Sequence, residues 1–226
     1  MNNLIIAAHP DDEVLGCGGT IARLFDEGQK VFVAILGEGI TSRYNDRKEV
    51  DINVLEKLKQ SSEKAACLLG IDDLFFFNLP DNRFDTIPLL EIVKIIESVI
   101  YKIKPETIFT HHGGDLNIDH AITNRATLTA VRPITDNVVK TIYAYEVPSS
   151  TEWAFGQFNN TFKPNVFIDI SKTLEKKIEA MLCYETEVKK FPHPRSPEAL
   201  RTIAKRWGSV VGKDAVEAFE LIRDVR

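Results

Sequence analysis

The sequence predicts an α/β fold: a Rossmann-like, doubly wound, mostly parallel sheet with helices on both faces. Three observations lead there. Strand-length apolar runs alternate with segments of helical periodicity along the chain, the pattern that builds a parallel sheet from βαβ units. The run Lys30-Val31-Phe32-Val33-Ala34-Ile35-Leu36 is continuously apolar, as a strand covered on both faces must be. Gly28 and Gly70 stand where the first two helical patterns stop, a position that favours glycine. At 226 residues the chain has room for one well-buried domain of this class, so residues 1–226 are expected to form a single domain.

The elements follow in order. The first strand, Leu4 to Ala8, stops at His9-Pro10-Asp11-Asp12-Glu13. Gly16-Cys17-Gly18-Gly19-Thr20 reads as a loop leading into Ile21, Ala22, Leu24 and Phe25, which have helical spacing. After the second strand, Lys30 to Leu36, the polar stretch from Gly37 to Val50 carries Arg43, Arg47 and Lys48; long loops at a strand's carboxyl end commonly carry function. A helix is predicted from about Asp51 to Leu69, and a short third strand from Asp73 to Phe77. Leu79-Pro80-Asp81-Asn82-Arg83-Phe84-Asp85 is a second polar loop on the same side. Pro88 to Ile103 presents Leu89, Ile92, Val93, Ile96, Val99 and Ile100 on one helical face.

A fourth strand, Glu106 to Thr110, runs into His111-His112-Gly113-Gly114-Asp115-Leu116-Asn117-Ile118-Asp119-His120. A helix from about Asp119 to Val131 follows, with Asp119 in its first turn. Lys140–Glu146 and Val166–Ile170 read as strands, separated by a polar loop that contains Trp153, Phe155 and Phe158. A helix from Leu174 to Val188 is broken by Phe191-Pro192-His193-Pro194-Arg195-Ser196-Pro197, and a last helix begins near Glu198. A 3-2-1-4-5 strand order makes strands 1 and 4 neighbours. They then flank the crevice beyond the strands' carboxyl ends where such sheets bind ligands.

That crevice would collect the chain's most demanding chemistry. An imidazole and two carboxylates sit where the first buried strand opens, and buried charge must be paired or hold a metal. His9, His111, His112 and His120 would share one sheet edge, which favours a metal site. A strand end capped by solvated acids, with Asp12 as helix N-cap, is the ordinary alternative. A formal charge of −5 gives no footprint for nucleic acid. No apolar run approaches the ~20 residues that span a bilayer, and no leader pattern is seen; a soluble cytoplasmic protein, with homo-oligomerisation left open, is expected. Cys17, Cys67 and Cys183 are scattered without C-x-x-C spacing, which argues against a thiolate zinc site or a disulfide framework.

Ala8-His9-Pro10-Asp11-Asp12-Glu13 with Gly16, Gly18 and Gly19, and the later Asn117-Ile118-Asp119-His120, resemble the two signature motifs of the PIG-L/LmbE-like family. Those proteins are zinc-dependent deacetylases of N-acetylglucosamine-type sugars and sugar conjugates. The resemblance implies a zinc ion held by His9, Asp12 and His120, with Asp11 as general base and Asp119 orienting a nearby polar group or a ligand imidazole. Two imidazoles and a carboxylate suit a hydrolytic zinc, which brings a bound water's pKa toward ~7; another divalent transition metal would also suit them. Several relatives carry a histidine where this chain has Asn117. An amide can donate to an oxyanion but cannot carry a proton, so Asn117, His111, His112 and His193 compete for the oxyanion role. Arg43 and Arg83, in loops at strand ends, are the candidate substrate-binding cations, joined by His112 and His193; Arg195 is a weaker candidate.

Three rivals stand beside this reading. A dinucleotide loop fails because Ile21 occupies the third glycine position of G-x-G-x-x-G. A metal-dependent hydratase or lyase on the same fold keeps the site and changes the reaction. A non-catalytic carbohydrate-binding protein would have no use for Asp11.

Overall fold

In the computed structural model, which describes residues 1–133, 139–158 and 160–226, a seven-stranded sheet forms the centre of the molecule. The chain runs β1 (Asn2–Ala7), α1 (Asp12–Asp26), β2 (Lys30–Gly37), α2 (Ile52–Leu69), β3 (Asp73–Leu79), α3 (Leu89–Ile103), β4 (Thr107–His111), α4 (Ile118–Ala130) and β5 (Thr141–Tyr145). It continues with β6 (Val166–Asp169), α5 (Leu174–Leu182), α6 (Pro197–Val211) and β7 (Val216–Asp224). The sheet order is β3-β2-β1-β4-β5-β7-β6. β1 to β5 are parallel, in the 3-2-1-4-5 order that the alternation of elements predicts.

The period of two along β1 divides the core. Ile5 and Ala7 face one apolar cluster with Leu15, Ile21, Leu58, Leu69 and Ile178, whereas Leu4, Ile6 and Ala8 face the other, with Ile92, Val93, Ile96, Val99 and Ala126. Helices α1, α2 and α5 therefore cover one face and α3 and α4 the other. With both faces covered, the strand has no polar side to show.

Two helix boundaries and one strand depart clearly from the sequence reading. α1 starts at Asp12, so Gly16 to Thr20 is helix and not loop. The glycines permit close packing: a Cβ at Gly19 would stand 2.7 Å from Ile170 Cδ1, and one at Gly16 would overlap the Tyr145 ring. The helix predicted from Leu174 to Val188 stops at Leu182. α6 begins at Pro197, where Ser196 Oγ accepts from the Ala199 amide at 3.1 Å. β7, absent from the sequence reading, is antiparallel to both of its neighbours. Its Glu217 is 5% exposed and breaks the apolar pattern. That carboxylate accepts from the Gly19 and Thr20 amides and from Lys177 Nζ at 2.6 to 3.0 Å, so the interruption is a buried ion pair tying β7 to α1 and α5.

Candidate metal centre

The loops leaving β1 and β4 meet, as the strand order requires. Asp12 opens α1, and its Oδ2 accepts from the His9 amide at 2.8 Å. Around the same oxygen lie His120 Nε2 at 3.3 Å, His9 Nδ1 at 3.4 Å and His111 Nε2 at 3.5 Å. Asp12 Oδ1 is buried and has no partner among the described residues. Burial opposes ionisation of Asp12, yet the His120, His111 and His9 imidazoles hold it well below the usual carboxylate range. His9, Asp12 and His120 offer ligand atoms all within 4.8 Å of one another, and His9, Asp81 and Asp119 form a second such group.

The far nitrogen of each outer imidazole decides between those groups. His9 Nε2 lies 3.0 Å from Asp119 Oδ2 and 3.3 Å from Asp81 Oδ1; His120 Nδ1 lies 3.2 Å from Asp115 Oδ1. A metal-ligating imidazole commonly directs its other nitrogen at a carboxylate, which fixes tautomer and ring orientation. Both histidines have that backing when His9 Nδ1, His120 Nε2 and Asp12 face a common point. Asp119 is fixed in turn by the Phe84 amide, which donates to Oδ1 at 2.9 Å. Asp115 accepts from the Asn117 amide at 2.8 Å, Thr151 Oγ1 at 2.6 Å and Ser150 Oγ. Burial would raise Asp115, but His120, Ser150 and Thr151 bring it down to about 2. The unpartnered Asp12 Oδ1 and these backed imidazoles suit a divalent ion.

Asp11 precedes the helix with φ 108°, in the left-handed region that non-glycine residues avoid. Such strain commonly marks a functional position. Its Oδ2 accepts from Arg195 Nη1 at 2.8 Å, and its amide donates to Glu13 Oε2 at 3.1 Å. Burial pushes the Asp11 carboxyl well up, against the pull of Arg195. Beside it opens a polar cleft lined by His9, Asp11, Ser42, Arg43, Asp81, Asn82, Asn117, Glu187 and Arg195, among others.

The remaining sequence candidates separate. Asn117 lines the cleft, with Oδ1 capping α4 by accepting from the Asp119 amide at 2.9 Å. Arg43 also lines it, its Nη2 2.6 Å from Glu187 Oε2. Arg83 does not: it is exposed, beyond the residues that line the cleft. His112 is turned elsewhere, with Nδ1 2.7 Å from Glu220 Oε2 and Nε2 3.0 Å from the Asn160 carbonyl, so both ring nitrogens hold β7 and the loop before β6. His193 accepts from the Arg195 amide at 3.1 Å and meets the Trp153 ring edge-on; burial and Arg195 lower its pKa and keep it neutral. The structure thus places Arg83, His112 and His193 outside the cleft lining. His111, fully buried, stacks on His120 at 4.0 Å and accepts from the Ala8 amide at 2.8 Å. Burial and the neighbouring His120 hold it well below the ordinary imidazole range, so it is a neutral tie between the ends of β4 and β1. Sequence reasoning passed over Asp81, Asp115 and Glu187. Asp81 was detectable, since it shares the β3 loop with Arg83, whereas nothing local marks Glu187.

Residues 4–131 match the PIG-L family model, described as GlcNAc-PI de-N-acetylase. The chain belongs to the PIG-L family. It is 28% identical over 190 residues to a Bacillus cereus protein named "Probable N-acetyl-alpha-D-glucosaminyl L-malate deacetylase 2", covering 81% of this chain and 82% of the relative. It is 28% identical over 235 residues to the diacetylchitobiose deacetylase of Thermococcus kodakarensis, covering 97% and 82%. The PIG-L fold also carries other chemistry: the 4-carboxy-2-hydroxymuconate hydratase of Pseudomonas putida superposes with a TM-score of 0.77 at 19% identity, covering 100% of this chain and 97% of that one. The PIG-L relatives in sequence are deacetylases of N-acetylglucosamine-type sugars. Fold alone does not choose the reaction.

Proposed function

We propose that this chain is a zinc-dependent N-deacetylase that hydrolyses the acetamide of an N-acetylglucosamine-type sugar or sugar conjugate. His9, Asp12 and His120 hold the ion. The observation that carries the reading is their convergence, with Asp12 Oδ1 unpartnered and Asp119 and Asp115 behind the two imidazoles. When bound, zinc supplies Lewis-acid polarisation of the amide carbonyl and an acidified water. Asp11 takes a proton from the attacking water and returns it to the amine nitrogen as the carbon–nitrogen bond breaks, leaving acetate and a free amino sugar. Asp119 keeps the His9 ring in its orientation. The Asn117 side-chain amide, on the cleft wall, would donate to the carbonyl oxygen as it gains charge. The polar cleft, with Arg43, Ser42, Asp81 and Asn82, suits a hydroxyl-rich ligand. Among the described residues no helix is long and apolar enough to cross a membrane.

The test is acetate release from a panel of N-acetylhexosamines, their nucleotide diphosphates and a malate conjugate. The zinc-loaded protein should be active, chelation should abolish the activity, and zinc or cobalt should restore it. Full activity after exhaustive chelation, with no metal by elemental analysis, overturns the reading.

A further inference from the structure

The geometry points to Arg195 as the positioning residue of Asp11, clamping one carboxylate oxygen so that the other is presented to the cleft. The inference rests on the reading of Asp11 as proton acceptor and adds a residue to it. Arg195 lies 184 positions along the chain from Asp11, in the loop between α5 and α6. Its guanidinium makes three connections there: Nε donates to Ser149 Oγ at 2.7 Å, and Nη1 donates to Asp11 Oδ2 at 2.8 Å and to Glu187 Oε2 at 3.1 Å. The contact with Asp11 is single. A bidentate fork would occupy both carboxylate oxygens, whereas here Oδ1 receives no hydrogen bond among the described residues while Asp11 lines the cleft.

The clamp is itself fixed. Glu187, 5% exposed, takes Arg43 Nη2 on the same Oε2 that meets Arg195, which joins the β2 loop to the arginine. The Arg195 amide donates to His193 Nδ1, and the next residue, Ser196, caps α6. Asp11 needs such an anchor because its backbone sits at φ 108°, a region without a deep well for an L-residue. A planar fork can span Ser149, Glu187 and Asp11 together; a lysine ammonium presents one point charge and cannot.

The test uses the zinc-loaded full chain and the variants Arg195→Ala and Arg195→Lys, each in the native and the Asp11→Asn background. Displacement of a base by about 1 Å costs on the order of 10²-fold in rate. Arg195→Ala should therefore lower kcat by about that factor, with KM within about twofold and zinc content unchanged. Arg195→Lys should recover part of the loss, and guanidinium ion added to Arg195→Ala should recover more than added ammonium. In the Asp11→Asn background neither variant should lower kcat further. A rise in KM at constant kcat would make Arg195 a substrate-binding residue, and additive losses in the Asp11→Asn background would give it an independent role; either result overturns the inference. If the wild-type protein releases acetate from no substrate, the functional reading fails separately. Crystal structures of zinc-loaded wild type and Arg195→Lys then decide: an unmoved Asp11 carboxylate overturns the clamp.

Discussion

Replacing Asp115 by alanine should uncouple the metal site from its support without touching a ligand. The carboxylate does two things. It faces His120 Nδ1 at 3.2 Å, and it accepts from the Asn117 amide, Thr151 Oγ1 and Ser150 Oγ. Loss of a carboxylate behind a ligand imidazole costs 10- to 100-fold in metal affinity as an order of magnitude, or roughly 1.4 to 2.7 kcal/mol. The three abandoned donors add a folding cost of about 1 to 3 kcal/mol each where water cannot replace the acceptor. Ser150 and Thr151 are only 6% and 8% exposed, so water reaches them poorly and the penalty applies. Asp115→Asn separates the two effects: its amide oxygen can still face His120 Nδ1 and accept from the Asn117 backbone amide, while the charge is gone. Competition against a chromophoric zinc chelator should rank wild type, Asn and Ala in falling affinity, and the apo melting temperature should fall mainly in Ala. Zinc affinity of Asp115→Ala within twofold of wild type would refute the reasoning.

Asp11→Asn should lower kcat by roughly 10² to 10⁴ with metal content retained, whereas Asp12→Asn should weaken zinc binding; acetate-release kinetics beside elemental analysis show whether these roles are reversed. Gly19→Ala forces a Cβ to 2.7 Å from Ile170 Cδ1 and 2.9 Å from its Cβ, and should destabilise by about 1 to 3 kcal/mol in urea unfolding. Burial draws the His112 pKa down, but Glu220 and the Asn160 carbonyl outweigh it and raise it above 6.5. A raised folded value gives stability that is complete below the unfolded pKa and fades as pH rises through the folded one. The melting temperature should therefore decline on the alkaline side of pH 6.5, and His112→Gln should flatten that decline.

The parallel half of the fold was legible because burial on both faces leaves an apolar run with no competing explanation, as in β1 and β2. α1 was read late because Gly16, Gly18 and Gly19 are poor helix formers, and the contacts with Tyr145 and Ile170 that require them come from elements far along the chain. β7 escaped notice for a related reason. Glu217 and Glu220 make it look solvated, yet their partners are Lys177 and His112 on other elements. In the site, the imidazoles and carboxylates at the ends of two strands marked a metal-site candidate by their chemistry, whereas the choice of His9, Asp12 and His120 as its ligands came from the resemblance to the PIG-L/LmbE-like family. Arg83 and His112 were placed near the cleft by their loops at strand ends, but Arg83 is exposed outside the lining and His112 is held by Glu220 and the Asn160 carbonyl. Arg195 could not be tied to Asp11 by any local pattern, since only the packing of the α5–α6 loop brings the two together.

The insertion of β7 between β5 and β6 bears on how the protein matures on the ribosome. Every residue offered to the ion has left the exit tunnel long before Val216 is made. β5 meanwhile waits with a bare edge, and β6, which among the described residues pairs in the sheet with β7 alone, has nowhere to dock. A nascent chain halted just short of β7 would thus forfeit two strands at once. It would also leave Lys177 beside the start of α1 without its carboxylate and expose a template for pairing with other chains.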